Sequence, residues 1–530
     1  MNESSEAFRR LKHFILPASL IAFAMLISLC RVSSGQDWPS RNGEKQNRVV
    51  ATDKQVVDFD IDEGGNAIKT SDIKWSVEIG MGLESEPAIS DGLVWVGGSN
   101  NPPRDPNVKG DAGVLFCFRE SDGKFLYQHV SPRRKEGWDF DWPGYGIAST
   151  PFIEKDRLYF CTNRCETICL DIGPLLDGTG IPKEVWKVDM VERFGVYPGV
   201  AHVGSRHLHC SPAVWSDYVY VNTTHTVHEH QKADLPKDSA PAPSLICFDK
   251  KTGKVKWSDN TPGDIMLGPQ WNNPTIFQVN GAAQVVMGQG DGWVRSFDCL
   301  TGELIWKFDI NEKLARVKFE KEPFRRHLRQ VIAEPVYCNG RLFFSAGYEH
   351  EFSNITGRLC CIDPTKKGDV SSELISADNT TTANSNSGLI WEFTGSSSGP
   401  KGVDADRENP NVMRDSFGSV VVKDGLVVAV DLIGSVHCLD EKTGKRHWSY
   451  DTEGDIWGSP LILDNWIVVV NENCVFCIPL SDKLDAKQIR KNETPLFLHS
   501  SPVFANGTLF STDYSKLYAI PARPAEKADK

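Results

Sequence analysis

Six of the thirteen histidines fall between residues 202 and 230: His202, His207, His209, His225, His228 and His230. Imidazole is a ligand for zinc, copper or nickel, and residues i and i+2 of a strand point the same way, so His207 with His209 and His228 with His230 form a candidate metal set. The competing reading is solvent exposure, because Glu229 and Lys232 surround the second pair. Cys161, Cys165 and Cys169 and the pair Cys474 and Cys477 are the other metal candidates. Yet Cys117, Cys169, Cys247, Cys360, Cys438 and Cys477 recur at one place in a repeat, which core packing explains and metal binding does not. No Cys-x-x-Cys-His motif is present for covalent haem. Gly290-Asp291-Gly292 has the glycine content of a phosphate cradle, but no helix follows it, so a tight hairpin is expected.

The repeat is what must position any such group. Its starts are Ser85-Glu86-Pro87, Ser149-Thr150-Pro151, Ser211-Pro212, Asn273-Pro274, Glu334-Pro335, Gly418-Ser419, Ser459-Pro460 and Ser501-Pro502. Its ends read Asp249, Thr252, Gly253, Trp257, then Asp298, Thr301, Gly302, Trp306, then Asp440, Thr443, Gly444, Trp448, with Tyr127 in the Trp place of a degraded copy. Each unit reads as four short strands, and such a sheet buries both faces only by stacking on its neighbours. The fold class is therefore all-β: an eight-bladed β-propeller of four-stranded blades.

The last unit ends at Ile520 without a Trp strand, while Ile73-Lys74-Trp75 precedes the first start. A ring closed by sharing N- and C-terminal strands in one blade explains that split and removes an exposed sheet edge. A linear solenoid would need polar caps and leaves the split unexplained.

Arg9, Arg10 and Lys12 precede the apolar run from Phe14 to Cys30, and Ser33, Ser34 and Gly35 follow it. This predicts a signal peptide over 1–35, an N-terminal extension over 36–72, the propeller over 73–520 and a tail over 521–530. The alternative is an uncleaved signal anchor; lipidation at Cys30 is disfavoured by the bulk of Leu29. A periplasmic or secreted location follows, with no membrane span after signal removal. The formal net charge of -12 offers no basic stripe, so nucleic acid is not an expected partner. Asn222, Asn354 and Asn506 head Asn-x-Ser/Thr sequons, which matter only in a eukaryotic secretory route.

Strand order places the inserts at 97–113, 128–146, 188–208, 222–244, 308–330 and 395–415 on one face, with 171–184 and 364–388 opposite. Residues at the repeat starts are expected to ring a channel mouth: Glu86, His209, Trp271, Asn272, Glu334, Arg414, Asp415, Trp457 and His499. Such a ring could hold a polar aromatic ligand, or it could line a hydrated funnel.

The Asp-x-x-Thr-Gly-x-x-x-Trp segments resemble the tryptophan-docking motifs of the pyrroloquinoline quinone (PQQ) dehydrogenase superfamily. Asp37-Trp38-Pro39, Gly290-Asp291-Gly292-Trp293 and the run from Cys361 to Asp369 are similar to a secreted PQQ-like subgroup common in planctomycete bacteria. The resemblance covers essentially the mature chain. It implies that Trp75, Trp186, Trp257, Trp306, Trp391 and Trp448 dock blade on blade. It does not specify a reaction, because the superfamily holds enzymes, a non-enzymatic outer-membrane assembly lipoprotein and sensor domains. Two functions follow. One is a non-catalytic exported scaffold that binds an envelope or extracellular protein or polymer through its loop-rich face. The other is a PQQ- and calcium-dependent dehydrogenase of alcohols or sugars, with Glu86, Asn272, Glu334 and Asp415 as oxygen ligands and Arg414 on a cofactor carboxylate. No kinase motif is present, so a sensor role would be non-catalytic.

Overall fold

The computed structural model describes residues 36–55, 72–81, 85–134, 144–196, 210–225, 242–263, 270–321, 328–347, 357–394, 412–494 and 497–524. Eight sheets, each built on four antiparallel strands, make the blades, and two of them carry a fifth, parallel strand. Blade 1 runs from inner strand Ala88–Ser90 to outer strand Phe125–Pro132 and blade 2 from Phe152–Glu154 to Lys183–Asp189. Blade 3 runs from Ala213–Trp215 to Val255–Asp259, blade 4 from Thr275–Val279 to Leu304–Asp309, and blade 5 from Val336–Cys338 to Leu389–Phe393. Blade 6 runs from Val421–Lys423 to Arg446–Asp451 and blade 7 from Leu461–Leu463 to Arg490–Glu493. Blade 8 takes Val503–Ala505, Thr508–Thr512 and Lys516–Pro521 from the C-terminal end and its outer strand, Trp75–Glu78, from the N-terminal end. That strand pairs antiparallel, Trp75 with Ala519 and Glu78 with Lys516, so the expected shared blade closes the ring.

The second and third strands of each blade are apolar on both sides because each sheet is covered twice. Leu93–Ser99 is buried along its whole length. One apolar cluster joins Leu517, Tyr518 and Phe510 of blade 8 to Val94, Val96 and Phe116 of blade 1.

At four of the eight seams between blades the contact is an indole on a glycine. Asp249 accepts from the Thr252 amide (2.9 Å) and hydroxyl (2.7 Å), and Gly253 closes the turn at φ +66°. Those bonds hold the Asp249 and Asp440 carboxyls below their ordinary range. The flat glycine then receives Trp186 of the preceding blade, whose Nε1 donates to the Lys250 carbonyl at 2.9 Å. Trp75 meets Gly123, Trp257 meets Gly302 and Trp391 meets Gly444 in the same way. Trp448 donates to the Ser481 carbonyl (2.8 Å). Trp306 differs: it is fully buried and donates to Gln284 of its own blade (3.0 Å), because blade 5 has no Thr-Gly turn to receive it.

Two expectations need correction. In blade 5 the residue opposite the docking tryptophan is Cys361, not Cys360; Cys360 faces blade 4 beside Trp306, since adjacent strand residues point to opposite faces. The insert at 364–388 is not confined to one face. Gly368–Asp369 pairs parallel with Leu304–Asp309 as a fifth strand of blade 4. Ser371 then accepts from the Asp309 amide (2.9 Å), and Glu373 from the first amide of helix Lys313–Lys321 (2.6 Å). This strap supplies to the blade 4 and 5 seam the fastening that the missing turn does not. Among the described residues no helix is long and apolar enough to cross a membrane.

Gly302 sits at φ +75° with Trp257 Cδ2 2.6 Å from where a Cβ would stand, whereas Gly425 at φ +80° has nothing within 4 Å. Both Gly→Ala substitutions carry the left-handed strain of about 1 kcal/mol. Gly302→Ala is expected to lose about 1–3 kcal/mol more by overpacking, read as a lower urea midpoint than Gly425→Ala.

Candidate functional site

The innermost strands converge on the axis, where each needs partners for backbone groups that its own sheet leaves open. In seven of the eight blades a proline follows the start residue and has no amide to satisfy, while in blade 6 Val420 stands in its place. That leaves the preceding amide. Glu86 N donates to Thr150 Oγ1 (2.9 Å) and Thr150 N to Ser211 Oγ (2.9 Å). Ser211 N donates to Asn273 Oδ1, and the Asn273 side-chain Nδ2 in turn donates to Glu334 Oε1. Ser419 N donates to Ser459 Oγ and Ser459 N to Ser501 Oγ, each at 2.9 Å. The eight equivalent positions are thus Glu86, Thr150, Ser211, Asn273, Glu334, Ser419, Ser459 and Ser501, a belt of side chains handed from blade to blade.

One residue earlier, a second set ties each inner strand to its own blade. Ser85 Oγ accepts from Gly97 N (2.8 Å) and Ser149 Oγ from Cys161 N (3.1 Å). Asn272 has the same role in blade 4: Oδ1 accepts from Gly288 N (3.1 Å), and Nδ2 donates to Gly288 O (2.6 Å) and Val331 O (2.9 Å).

Glu86 and Glu334 occupy belt positions in blades 1 and 5, opposite one another in the ring. Both are met by the segment before the propeller. Trp38 pairs with Ile89 and Val49 with Ile462, so this segment is laid along the inner strands of blades 1 and 7. From it Arg48, 1% exposed, pairs with Glu86 at 2.7 Å and donates to the Pro460 (3.1 Å) and Pro502 carbonyls. Arg41 pairs with Glu334 at 2.6 Å and stands 3.8 Å from Glu86. Burial alone would lower the Arg41 pKa, but Glu334 and Glu86 outweigh it and hold the guanidinium above its ordinary value. Two guanidiniums against two carboxylates make a neutral hub, and Arg48 bridges blades 7, 8 and 1.

Two residues before the belt, a third layer is aromatic. Trp271 of the blade 4 start meets Phe417 of the blade 6 start edge-on at 6.0 Å, and Phe417 meets Trp457 at 5.5 Å. Trp457 stacks on His499 at 4.5 Å, His499 neighbours Phe497 at 5.9 Å, and Phe497 stacks on Tyr514 at 4.8 Å. This chain lies on the side where outer strands lead into the next blade. Tyr514 is 40% exposed, and Trp271, Phe417, Trp457 and Phe497 are half-buried.

The residues expected at one mouth therefore lie at different levels. Glu86 and Glu334 are in the belt, Asn272 binds backbone, and Trp271, Trp457 and His499 share the aromatic layer. Arg414 and Asp415 are buried where blade 5 approaches blade 6; a Cβ on Gly347 would stand 2.2 Å from Asp415 Oδ1. His209, His207, His228 and His230, with His202, lie outside the described residues. His225 is buried, its carbonyl accepting from Gln270 (2.7 Å). Arg41, Arg48, Phe417, Phe497 and Tyr514 escaped the sequence reading. The available signal was the pair of glutamates at positions that otherwise carry hydroxyl or amide groups, each of which needs a cation when buried.

Three of the four residues expected to give calcium its oxygens are engaged elsewhere. Glu86 and Glu334 are neutralised by arginine and Asn272 is spent on backbone. Among the described residues no group of three or more His, Cys, Asp or Glu is arranged to hold a metal ion. Burial pushes the thiols of Cys169, Cys247, Cys299, Cys360, Cys361, Cys438 and Cys474 up to about 12, so they stay protonated and pack as apolar groups. Asn222 is fully buried, its amide donating to the Gln270 and Asn272 carbonyls (both 2.7 Å), which removes it as a glycosylation acceptor.

The family model described as outer membrane protein assembly factor BamB matches residues 182–391 and 382–488. Among solved structures, the fold is similar to BamB from Moraxella catarrhalis, at 12% identity and TM-score 0.51, over 85% of this chain and 99% of that one. It is also similar to the quinohemoprotein alcohol dehydrogenase from Comamonas testosteroni, at 12% identity and TM-score 0.55, over 93% of this chain and 82% of that one. No curated protein matches the sequence. Identities this low show a shared fold and no more.

Arg48→Met leaves Glu86 buried and uncompensated, and a loss of about 3–5 kcal/mol is expected in urea unfolding. Adding Glu86→Gln is expected to recover part of it. Arg119→Ala, which breaks a pair with Asp122 that is 44% and 50% exposed, should cost less than about 1 kcal/mol.

Proposed function

The chain belongs to the PQQ-like propeller repeat family typified by BamB, and from that premise we propose that it is an exported, non-catalytic binding scaffold. The observation that carries the reading is the hub: the two axial carboxylates, Glu86 and Glu334, are held by Arg48 and Arg41. A quinone dehydrogenase needs free oxygen ligands for its metal and a carboxylate that can take a proton. Here those groups close the ring.

Binding is assigned to the end of the axis where outer strands lead into the next blade and the aromatic layer lies. Aromatic side chains on a rigid scaffold are efficient anchors, because they bury much area while losing little rotamer freedom. The partner class is an envelope or extracellular protein or polymer. Export rests on the basic, apolar and small-residue pattern of residues 1–35, and the periplasm or the cell exterior is the proposed location.

Cross-linking of the full chain in envelope extracts, followed by peptide mapping, tests this. Contacts are expected around Trp271, Phe417, Trp457 and Tyr514, and Trp457→Ala with Tyr514→Ala is expected to lower their yield at least about tenfold. Contacts confined to the turns Asp249–Gly253 and Asp440–Gly444, on the other face, would contradict the assignment.

A further inference from the structure

The seam between blades 1 and 2 is built unlike its neighbours. Tyr127 stands in the docking tryptophan's place, edge-on to Trp95 of its own blade at 6.1 Å, and blade 2 presents the short helix Gly173–Leu176 instead of a Thr-Gly turn. Two residues past the docking position, other seams are filled by rings: Phe308 on Phe344 at 5.7 Å, Phe393 on His437 at 5.4 Å and Tyr450 on Phe476 at 6.2 Å. Here the equivalent residue is His129, edge-on to Phe160 at 5.3 Å, and two further on is Ser131. Above them the seam opens into a cavity of about 350 Å³ lined by His129, Ser131, Arg164, Glu166 and Lys187 with the Val130 and Pro132 backbone region. That volume is at the small end of ligand pockets.

The charges in it do not balance. Arg164 Nε is 3.3 Å and Lys187 Nζ 3.9 Å from the same Glu166 oxygen, while Thr162 Oγ1 donates to the other at 3.3 Å. Two cations thus share one carboxylate. Ser131 is 3% exposed, yet its hydroxyl has no hydrogen-bond partner among the described residues, an arrangement that costs stability unless something else fills it. Burial lowers the His129 pKa against the pull of Glu166, so the ring is neutral and offers one N–H.

We propose that this seam cavity is a binding site for a small organic carboxylate, whose oxygens accept from Lys187, Arg164 and the Ser131 hydroxyl. A single negative charge neutralises the excess cation, and a carboxylate has acceptors for several donors at once. The site is separate from the axial aromatic layer, so it stands or falls independently of the scaffold reading.

Calorimetric titration of the full chain with acetate, L-lactate and inorganic phosphate, at ionic strength matched with chloride, tests it. Saturable binding of acetate or lactate is expected. Lys187→Met and Ser131→Ala should each weaken it about tenfold or more, and Glu166→Gln, which removes the internal competitor, should tighten it. Lys187 is 44% exposed, so its variant keeps the fold, with the melting temperature as the check. Heats equal to those of chloride, preference for phosphate over both carboxylates, or equal affinity in wild type and Lys187→Met would overturn the proposal.

Discussion

Eight sheets brought edge-first to one axis face a shortage of hydrogen-bond partners, and the belt of pre-proline residues is the answer that the rest of the structure depends on. A proline follows seven of the eight belt positions and removes an amide from the crowded centre, and at Glu86, Thr150, Ser211, Ser419 and Ser459 the belt amide is satisfied by a side chain of the next blade. The bond from Thr150 N to Ser211 Oγ and that from Ser419 N to Ser459 Oγ repeat one geometry at 2.9 Å on opposite sides of the ring. The belt fixes how close neighbouring inner strands come. Farther out, four of the seams are closed by an indole that lies on a glycine and leaves no room for a Cβ.

The belt also accounts for the segment before the propeller. Replacing a hydroxyl with a carboxylate at positions 86 and 334 creates two buried charges, and a fold can bear those only with cations close by. Arg48 and Arg41 are those cations. Ring closure therefore has two parts: the strand Trp75–Glu78 completes blade 8 at the rim, and Arg48 joins blades 7, 8 and 1 at the axis. The same groups that fasten the ring would have served a metal cofactor, so fastening and quinone chemistry compete for one pair of carboxylates.

The blades were legible because their signals are local and periodic. The Asp-Thr-Gly-Trp spacing specifies a turn and a strand within a dozen residues, and the unpaired Trp75 strand exposes the circular closure. The site was legible only in part. Trp271, Trp457 and His499 stand out by position in the repeat, but the stack also needs Phe497 and Tyr514 from outside the repeat starts. Arg41 and Arg48 lie in a segment with no repeat at all, and their partners are far away in sequence. The exchange of Cys360 for Cys361 follows from parity: a one-residue slip moves every side chain to the other face. The strap through Gly368–Asp369 was hidden because a two-residue edge pairing has no compositional signature.

The central claim is that Glu86 and Glu334 serve the ring and not a cofactor. Calorimetric titration of the chain with PQQ and calcium together, with calcium alone as the control, tests it most directly. The account predicts no binding heat and no thermal stabilisation. Stoichiometric binding that Glu86→Gln or Glu334→Gln abolishes would contradict it and return those carboxylates to a catalytic site.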